Sequence, residues 1–283
     1  MLPQHEAKLT GYAAMADVYH RTRPGYPVEL LDTLLRHTGV RTGDRVAEIG
    51  AGTGHFTQLL AARALTVVAV EPVAQMRAQA PSLNGVTWVD GTFERTGLPD
   101  RSQRWVVSAQ AFHQAQIRVA LPEIRRILEP GGWLTALWNA PHIAREPVLA
   151  HTYAILQRHV PEYRFTDRTT RRRRWASRLV AALPAAVQLQ LGKVTSFAAS
   201  RGLELLSTGD FAALAYHEVE HSVRVSRDTY LDRWRSSRLH SSAASQAFDA
   251  FISELTEYLD KGKIEEITVP YVCGAWSARA RRD

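Results

Sequence analysis

Between residues 45 and 140 the chain alternates short apolar runs with stretches whose apolar residues recur every three or four positions. RVAEIG (45–50), LTVVAVE (65–71), VTWVDG (86–91), RWVVSAQ (104–110) and GWLTALWN (132–139) have the length and β-branched content of buried strands. Residues 55–64, 73–80 and 117–128 carry the helical period between them. Such alternation predicts an α/β fold, a doubly wound and mostly parallel sheet with right-handed crossovers. Upstream, VELLDTLLRHTGV (28–40) sets Val28, Leu31, Leu34 and Leu35 on one helical face.

Beyond residue 140 the pattern changes. EPVLAHTYAILQRHV reads as an amphipathic helix, RFTDRTTRRRRWASR as a cationic connector, and LVAALPAAVQLQL as an apolar segment broken by Pro184. YHEVEHSVRV (216–225) alternates like a strand, and Ser226 caps a following helix. Residues 243–261 gather Phe248, Phe251, Ile252, Leu255 and Leu259 on one side, and EITVPYVCGAWSARARRD supplies a last strand. The expected division is a helical cover over 1–39, a Rossmann-like core over 40–140, an inserted helical lid over 141–215 and the C-terminal part of the core sheet over 216–283.

The candidate chemistry starts at VAEIGAGTG (46–54), a strand that runs through a glycine turn into a helix. Glycine lets a turn adopt positive φ and lets a ligand approach the backbone, so the turn's amides are expected to face that ligand. A dinucleotide site wants G-x-G-x-x-G with pyrophosphate on the helix N-terminus. Here the spacing is G-x-G-x-G, and Glu48 precedes it. An acid there repels pyrophosphate and suits a cationic amine or sulfonium.

With Glu71 closing the next strand, GTFE at 91–94, SAQAFH at 108–113, EPGGWL at 129–134 and VYHRTRPGYP at 18–27, the chain resembles the class I S-adenosylmethionine-dependent methyltransferases, in their small-molecule, type 11-like branch. The resemblance covers roughly the first half of the chain. It implies a seven-stranded sheet with the last strand as its antiparallel edge, S-adenosylmethionine as cofactor, and methyl transfer as the activity.

On this resemblance Glu48, Gly50, Ala51, Gly52 and Gly54 form the cofactor turn, Glu71 accepts hydrogen bonds from the ribose hydroxyls, and Pro72 follows it. Met76 packs on the adenine or serves as core; Thr92 and Phe93 border the adenine, and Asp90 shapes that turn. Tyr19 lies near the methionine end of the cofactor and Arg23 near its carboxylate. Tyr12 and Tyr26 are either helix-packing rings or, for Tyr26, a substrate contact. Ala109 and Gln110 belong to the segment bordering the methyl group, with Gln114, Trp138, Asn139 and His142 around the acceptor. His113 is the candidate base, since neutral imidazole can take a proton near neutral pH; the alternative is a histidine that fixes its loop. Two positions depart from the family pattern. Arg104 and Trp105 replace an Asp-aliphatic pair, and Gln114 replaces a tryptophan.

Composition narrows the acceptor. The charge of +7 comes from 31 Arg and 4 Lys against 28 acids, a ratio that points to coding bias before it points to nucleic acid. Arg171–Arg174 beside Trp175 can be read as an RNA or anion contact or as a solvated loop. The post-strand loop lacks both the Asn/Asp-Pro-Pro-aromatic signature of nucleobase amino-methyltransferases and a cysteine, the only one being Cys273. The expectation is therefore a small-molecule methyltransferase acting on O, N or C, with an RNA or protein methyltransferase, or cofactor binding without transfer, as alternatives. No metal-ligand spacing occurs. The lone cysteine, the absence of a long apolar run and an N-terminus unlike a signal peptide suggest a cytoplasmic protein without a membrane or nucleic-acid partner. The pattern leaves the oligomeric state open.

Overall fold

The computed structural model describes residues 11–161, 171–194, 201–237 and 245–281. Its elements are α1 (Ala16–Thr22), α2 (Val28–Thr38), β1 (Arg45–Ile49), α3 (His55–Ala61), β2 (Thr66–Val70), α4 (Ala74–Ala78), β3 (Val86–Val89), β4 (Gln103–Ala109), α5 (Ile117–Ile127), β5 (Leu128–Pro141), α6 (Pro147–His159), α7 (Arg171–Ala182), α8 (Ala185–Val194), α9 (Arg201–Glu204), β6 (Phe211–Ser226), α10 (Arg227–Ser237), α11 (Ser245–Lys261) and β7 (Glu266–Ala280). Single 3-10 turns occupy Phe112–Gln114 and Ile143–Arg145.

The seven strands form one sheet in the order β3-β2-β1-β4-β5-β7-β6. β1 pairs in parallel with β2 on one side and β4 on the other, and β2–β3 and β4–β5 are also parallel. Strand order reverses between β1 and β4, which opens a crevice at their carboxyl ends. One expectation is corrected here: the last strand is not the edge. β7 lies between β5 and β6, and its burial is nearly continuous from Tyr271 to Ala278, as an inner strand covered on both faces requires. β6 is the edge, and its alternation of half-buried and exposed residues fits that position.

The chain divides into two compact units. One contains Gly25–Asn139 with the described parts of 170–219 and 273–283; the other contains the described parts of 1–24, 140–169 and 220–272. In the first, alternate residues of β4 enter different apolar clusters. Val106 joins Ala47, Ile49, Leu121, Ile124 and Leu134, whereas Trp105 and Val107 join Leu30, Leu31, Leu34, Phe56 and Leu60. Trp105 is wholly buried and its Nε1 donates to Thr135 Oγ1 at 2.9 Å, so this departure from the family pattern is a packing feature. In the second unit α6, α10 and α11 share a core that includes Leu149, Ile155, Tyr230, Phe248, Phe251, Leu255 and Leu259.

The expected divisions differ from these units. The 1–39 stretch is split at Pro24–Gly25, with α1 in the second unit and α2 in the first. On α2, Val28 is 39% exposed and Leu30 is buried instead, because the buried stripe runs through Leu30, Leu31, Leu34 and Thr38. The 141–215 stretch is likewise divided, α6 falling in the second unit and α7 and α8 in the first. Residues 171–174, expected as connector, begin helix α7, while Pro184 separates α7 from α8 as its missing N–H dictates. Ser226 does cap α10: its Oγ accepts from the Thr229 amide at 3.2 Å. No described helix is long and apolar enough to cross a membrane.

Inside the first unit the rings of His37 and His217 meet at 4.7 Å, and His37 meets Trp133 at the same distance. Among the described residues neither Nε2 has a hydrogen-bond partner. Burial lowers the pKa of both, and the charge of His37 lowers His217 further. Each ring is thus neutral when folded and more basic when unfolded, so the stability present above the unfolded value near 6.5 is lost as pH falls below it. Thermal unfolding should show a Tm that drops between pH 7 and pH 5. The double substitution His37→Phe, His217→Phe should flatten that slope; an unchanged slope would remove the pair as its source.

Candidate active site

The glycine turn and Glu71 meet where the sheet order reverses. Gly50, Gly52 and Gly54 all have positive φ, at 72°, 59° and 84°. The amides of Gly50 and Ala51 both donate to the Val70 carbonyl, at 2.9 and 3.2 Å, which ties the turn to the end of β2. Glu71 Oε2 accepts from the Gly52 amide at 2.9 Å, and its Oε1 from the Val73 amide at 3.0 Å. The expectation that the turn's amides face a ligand is therefore corrected. Those of Gly50, Ala51 and Gly52 are satisfied by neighbouring protein acceptors, because β2 ends within their reach.

What the turn offers instead is room. A Cβ built on Gly52 would meet only the Met76 methyl, at 3.6 Å, whereas one built on Gly50 would lie 2.4 Å from Ala111 Cβ and 3.4 Å from the Phe93 ring. Gly50 is thus required by packing and Gly52 by backbone shape beside open space. Met76 and Phe93 are both buried next to the turn, and Phe93 packs edge-on against Phe112 at 5.8 Å. Thr92 Oγ1 accepts from the amides of Glu94 and Arg95, each at 3.2 Å, which folds the 92–95 turn. Asp90 is exposed and pairs with Arg77, whose guanidinium also donates to the Glu71 carbonyl.

Both site acids are buried. Glu48 Oε2 accepts from the Thr57 hydroxyl at 2.6 Å. Burial pushes its pKa up to about 8, the Thr57 bond opposing and the charge of Glu71 adding to the rise. Glu71 is also raised, chiefly by burial, against the lowering effect of its two amide donors. Thr57 was not foreseen; its only signal was a hydroxyl on the buried face of α3, nine residues beyond Glu48.

After β4, Gln110 holds a left-handed φ of 61°. Its amide donates to the Leu137 carbonyl at 2.9 Å and its Nε2 to the Asn139 carbonyl at 2.9 Å. Asn139 Nδ2 in turn donates to the Gly25 carbonyl at 3.0 Å, next to Tyr26, whose ring packs edge-on against Phe56 at 5.2 Å. A strained non-glycine residue over-determined in this way is characteristic of functional loops. Ala109 is buried before it, and the 3-10 turn after it presents His113 to solvent with Gln114 half-buried. Trp138 is buried within β5.

Residues 47–136, which contain all of β1 to β4 except the first two positions of β1, match the methyltransferase domain family model. This part of the chain belongs to the class I S-adenosylmethionine-dependent methyltransferase superfamily. An uncharacterized methyltransferase of Mycobacterium tuberculosis is 39% identical over 132 residues, 45% of this chain and 51% of its own length. A ubiquinone/menaquinone biosynthesis C-methyltransferase of Rubrivivax gelatinosus is 35% identical over 101 residues, 35% of this chain and 40% of its own. The chain spans about half the length, or less, of these curated relatives. Among solved structures, a protein of Anaeromyxobacter dehalogenans described as a type II methyltransferase has the same fold at a TM-score of 0.55 and 20% identity, covering 92% of this chain and 97% of that one.

The glycine turn, Glu48, Glu71, Pro72, Met76, Thr92, Phe93, Ala109, Gln110, Tyr26, His113, Gln114 and Trp138 all belong to the first unit. Tyr19, Arg23 and His142 belong to the second. There the Arg23 guanidinium lies 4.5 Å from the centre of the Tyr19 ring, and the His142 amide donates to the Pro270 carbonyl at 2.7 Å. Of the arginine run, Arg174 is held by Glu218, Nε at 2.9 Å and Nη2 at 2.6 Å, and Arg178 shares the same carboxylate at 2.5 Å. The side chains of Arg171–Arg173 lie outside the described residues.

The two glycines should separate in a stability assay. Gly50→Ala drives a methyl into Ala111 and should lower stability by about 2 kcal/mol or more. Gly52→Ala meets no such wall and should cost about 1 kcal/mol from its backbone angle alone. Denaturant titration giving equal losses would contradict the packing described for Gly50.

Proposed function

We propose that the chain moves a methyl group from S-adenosylmethionine to an O, N or C atom of a small molecule. The observation that carries this reading is Glu71 fixed to the Gly52 amide at the strand-order reversal, a buried acid beside a turn with open space. These residues fit the cofactor's chemistry: Glu71 retains acceptor capacity for a diol, and Glu48 and Glu71 are buried acids without a bonded cation, an environment that favours a positively charged guest. When bound, that cofactor supplies an electrophilic methyl on a sulfonium. The chain's own contribution is to orient and to exclude water, through Met76 and Phe93 beside the turn and the loop braced at Gln110 and Asn139. His113, exposed on the turn that follows, is the candidate base for an acceptor hydroxyl or amine.

A small acceptor is favoured over nucleic acid because Arg174, the described side chain of the arginine run, is engaged within the protein by Glu218. The Rubrivivax relative, by its name, acts in quinone biosynthesis, which is small-molecule chemistry. The buried Cys273 fits a reducing compartment such as the cytoplasm.

Incubation with methyl-labelled cofactor and a fractionated small-molecule extract should give a labelled product heavier by one CH2 and one equivalent of S-adenosylhomocysteine. Label recovered only in RNA or protein would sink the reading. His113→Ala should lower kcat about a hundredfold with KM unchanged if the imidazole is the base, and leave kcat near normal if the protein only positions the acceptor.

Glu48 adds a linkage test. With its pKa near 8 the acid is protonated at neutral pH, and a bound cation favours the carboxylate, so binding releases a proton. Affinity for S-adenosylmethionine should rise between pH 6 and pH 8 by up to about tenfold per unit. The uncharged sulfur of S-adenosylhomocysteine should show a shallower rise. Calorimetry in buffers of different ionisation heat measures the proton, and Glu48→Gln should abolish it.

A further inference from the structure

The helical pair α7 and α8, within the first unit, is fastened from one side. Gln188 is buried; its Nε2 donates to the carbonyls of Val180 and Ala181, each at 3.1 Å, and of Leu214 at 3.0 Å, while its Oε1 accepts from the Leu214 amide at 2.9 Å. Arg174 and Arg178 reach the carboxylate of Glu218, a side chain only 6% exposed. Val180, Ala181, Leu189 and Leu191 pack on the apolar cluster of the same unit. These contacts fix which face of each helix looks outward.

That outward face is apolar. Among the described residues five large hydrophobic side chains are exposed, and three of them fall here: Trp175 at 64%, Leu179 at 48% and Val187 at 43%. The other two, Val28 and Val119, lie singly on α2 and α5, as scattered surface residues do. Trp175 and Leu179 are one turn apart on α7 and so adjoin.

Charge decides what suits this face. Residues 171–194 contain Arg171, Arg172, Arg173, Arg174, Arg178 and Lys193 and no Asp or Glu. Glu218, the acid that Arg174 and Arg178 share, is buried and lends the outer face no negative charge. Indole and aliphatic groups among cations match the boundary of an anionic bilayer, where the apolar groups enter between headgroups and the guanidiniums stay with the phosphates. A second copy of the chain fits poorly, since two such faces would set cations against cations. RNA could use Trp175 and the arginines but would gain nothing from Leu179 and Val187.

We propose that the outer face of α7 and α8 is a docking surface for an anionic membrane, against which the protein lies peripherally. The lack of a long apolar run, from which no membrane partner was expected, bears on spanning a bilayer and not on lying against one. Docking of this kind is independent of the methyl-transfer chemistry.

Sedimentation of the full chain with lipid vesicles tests it. Vesicles of phosphatidylcholine with about one quarter phosphatidylglycerol should carry the protein down, pure phosphatidylcholine vesicles should bind it about tenfold more weakly, and about 0.5 M sodium chloride should weaken the binding to the mixed vesicles. Trp175→Ser combined with Leu179→Ser should reduce that binding about tenfold or more. Both side chains are exposed, so the Tm of the free protein should not change. In the parent, hydrogen exchange in α7 and α8 should slow when mixed vesicles are added, a readout that needs no variant and decides the matter if the variant proves unstable. The proposal falls if the mixed vesicles do not bind, if pure phosphatidylcholine or high salt makes no difference, if the double variant binds like the parent, or if protection appears only outside α7 and α8. It falls in favour of nucleic acid if polyuridylate binds the parent and not the double variant while the vesicles bind neither. It falls in favour of self-association if light scattering shows a parent dimer that the double variant dissociates, again without vesicle binding.

Discussion

Two carboxylates buried at the ends of adjacent parallel strands set the terms for the rest of the first unit. Glu48 and Glu71 are each nearly inaccessible, each raised in pKa by burial, and each influenced by the other's charge or by the charges nearby. The fold tolerates them because every approach is furnished with a donor: Thr57 for one, the Gly52 and Val73 amides for the other. Those donors in turn specify the path of the chain. Gly52 can offer its amide only from a left-handed turn, and α3 must start where it does for Thr57 to face β1. Burial disfavours the charged form of both acids, and a positive charge alongside would favour it, so the pair retains a preference for a cation.

The loop after β4 is held by a different means. Gln110 departs from the ordinary backbone region, and three hydrogen bonds running through Leu137, Asn139 and Gly25 hold it there. The loop before α2 and the loop after β4 are thereby braced to the same strand. Side chains on such a loop keep their aim, which matters for positioning a reactant more than any single contact does.

The order of strands and helices was legible because buried parallel strands must be apolar on both faces and their helices on one. Trp105, Val106 and Val107 illustrate this, three consecutive apolar residues feeding two clusters. Glu48, the glycines and Glu71 were legible because acids and glycines are anomalous in such a setting. The burial of Leu30 in place of Val28 was not legible, since one turn of helix carries either phase equally well. The inner position of β7 was not legible either: Cys273, Ala275 and Ala278 are small residues whose burial depends on which strand comes to lie beside them. The strain at Gln110 left no trace, because glutamine carries no conformational signature.

Gly50 and Ala111 share the volume of a single methyl group, 61 positions apart in the chain. Drift at either position is therefore answerable to the other: a side chain gained at 50 demands a glycine at 111, and even then the backbone angle at 50 resists. The glycine turn and the loop that carries His113 are in this sense one mechanical part, with no slack between them through which either could be retuned alone.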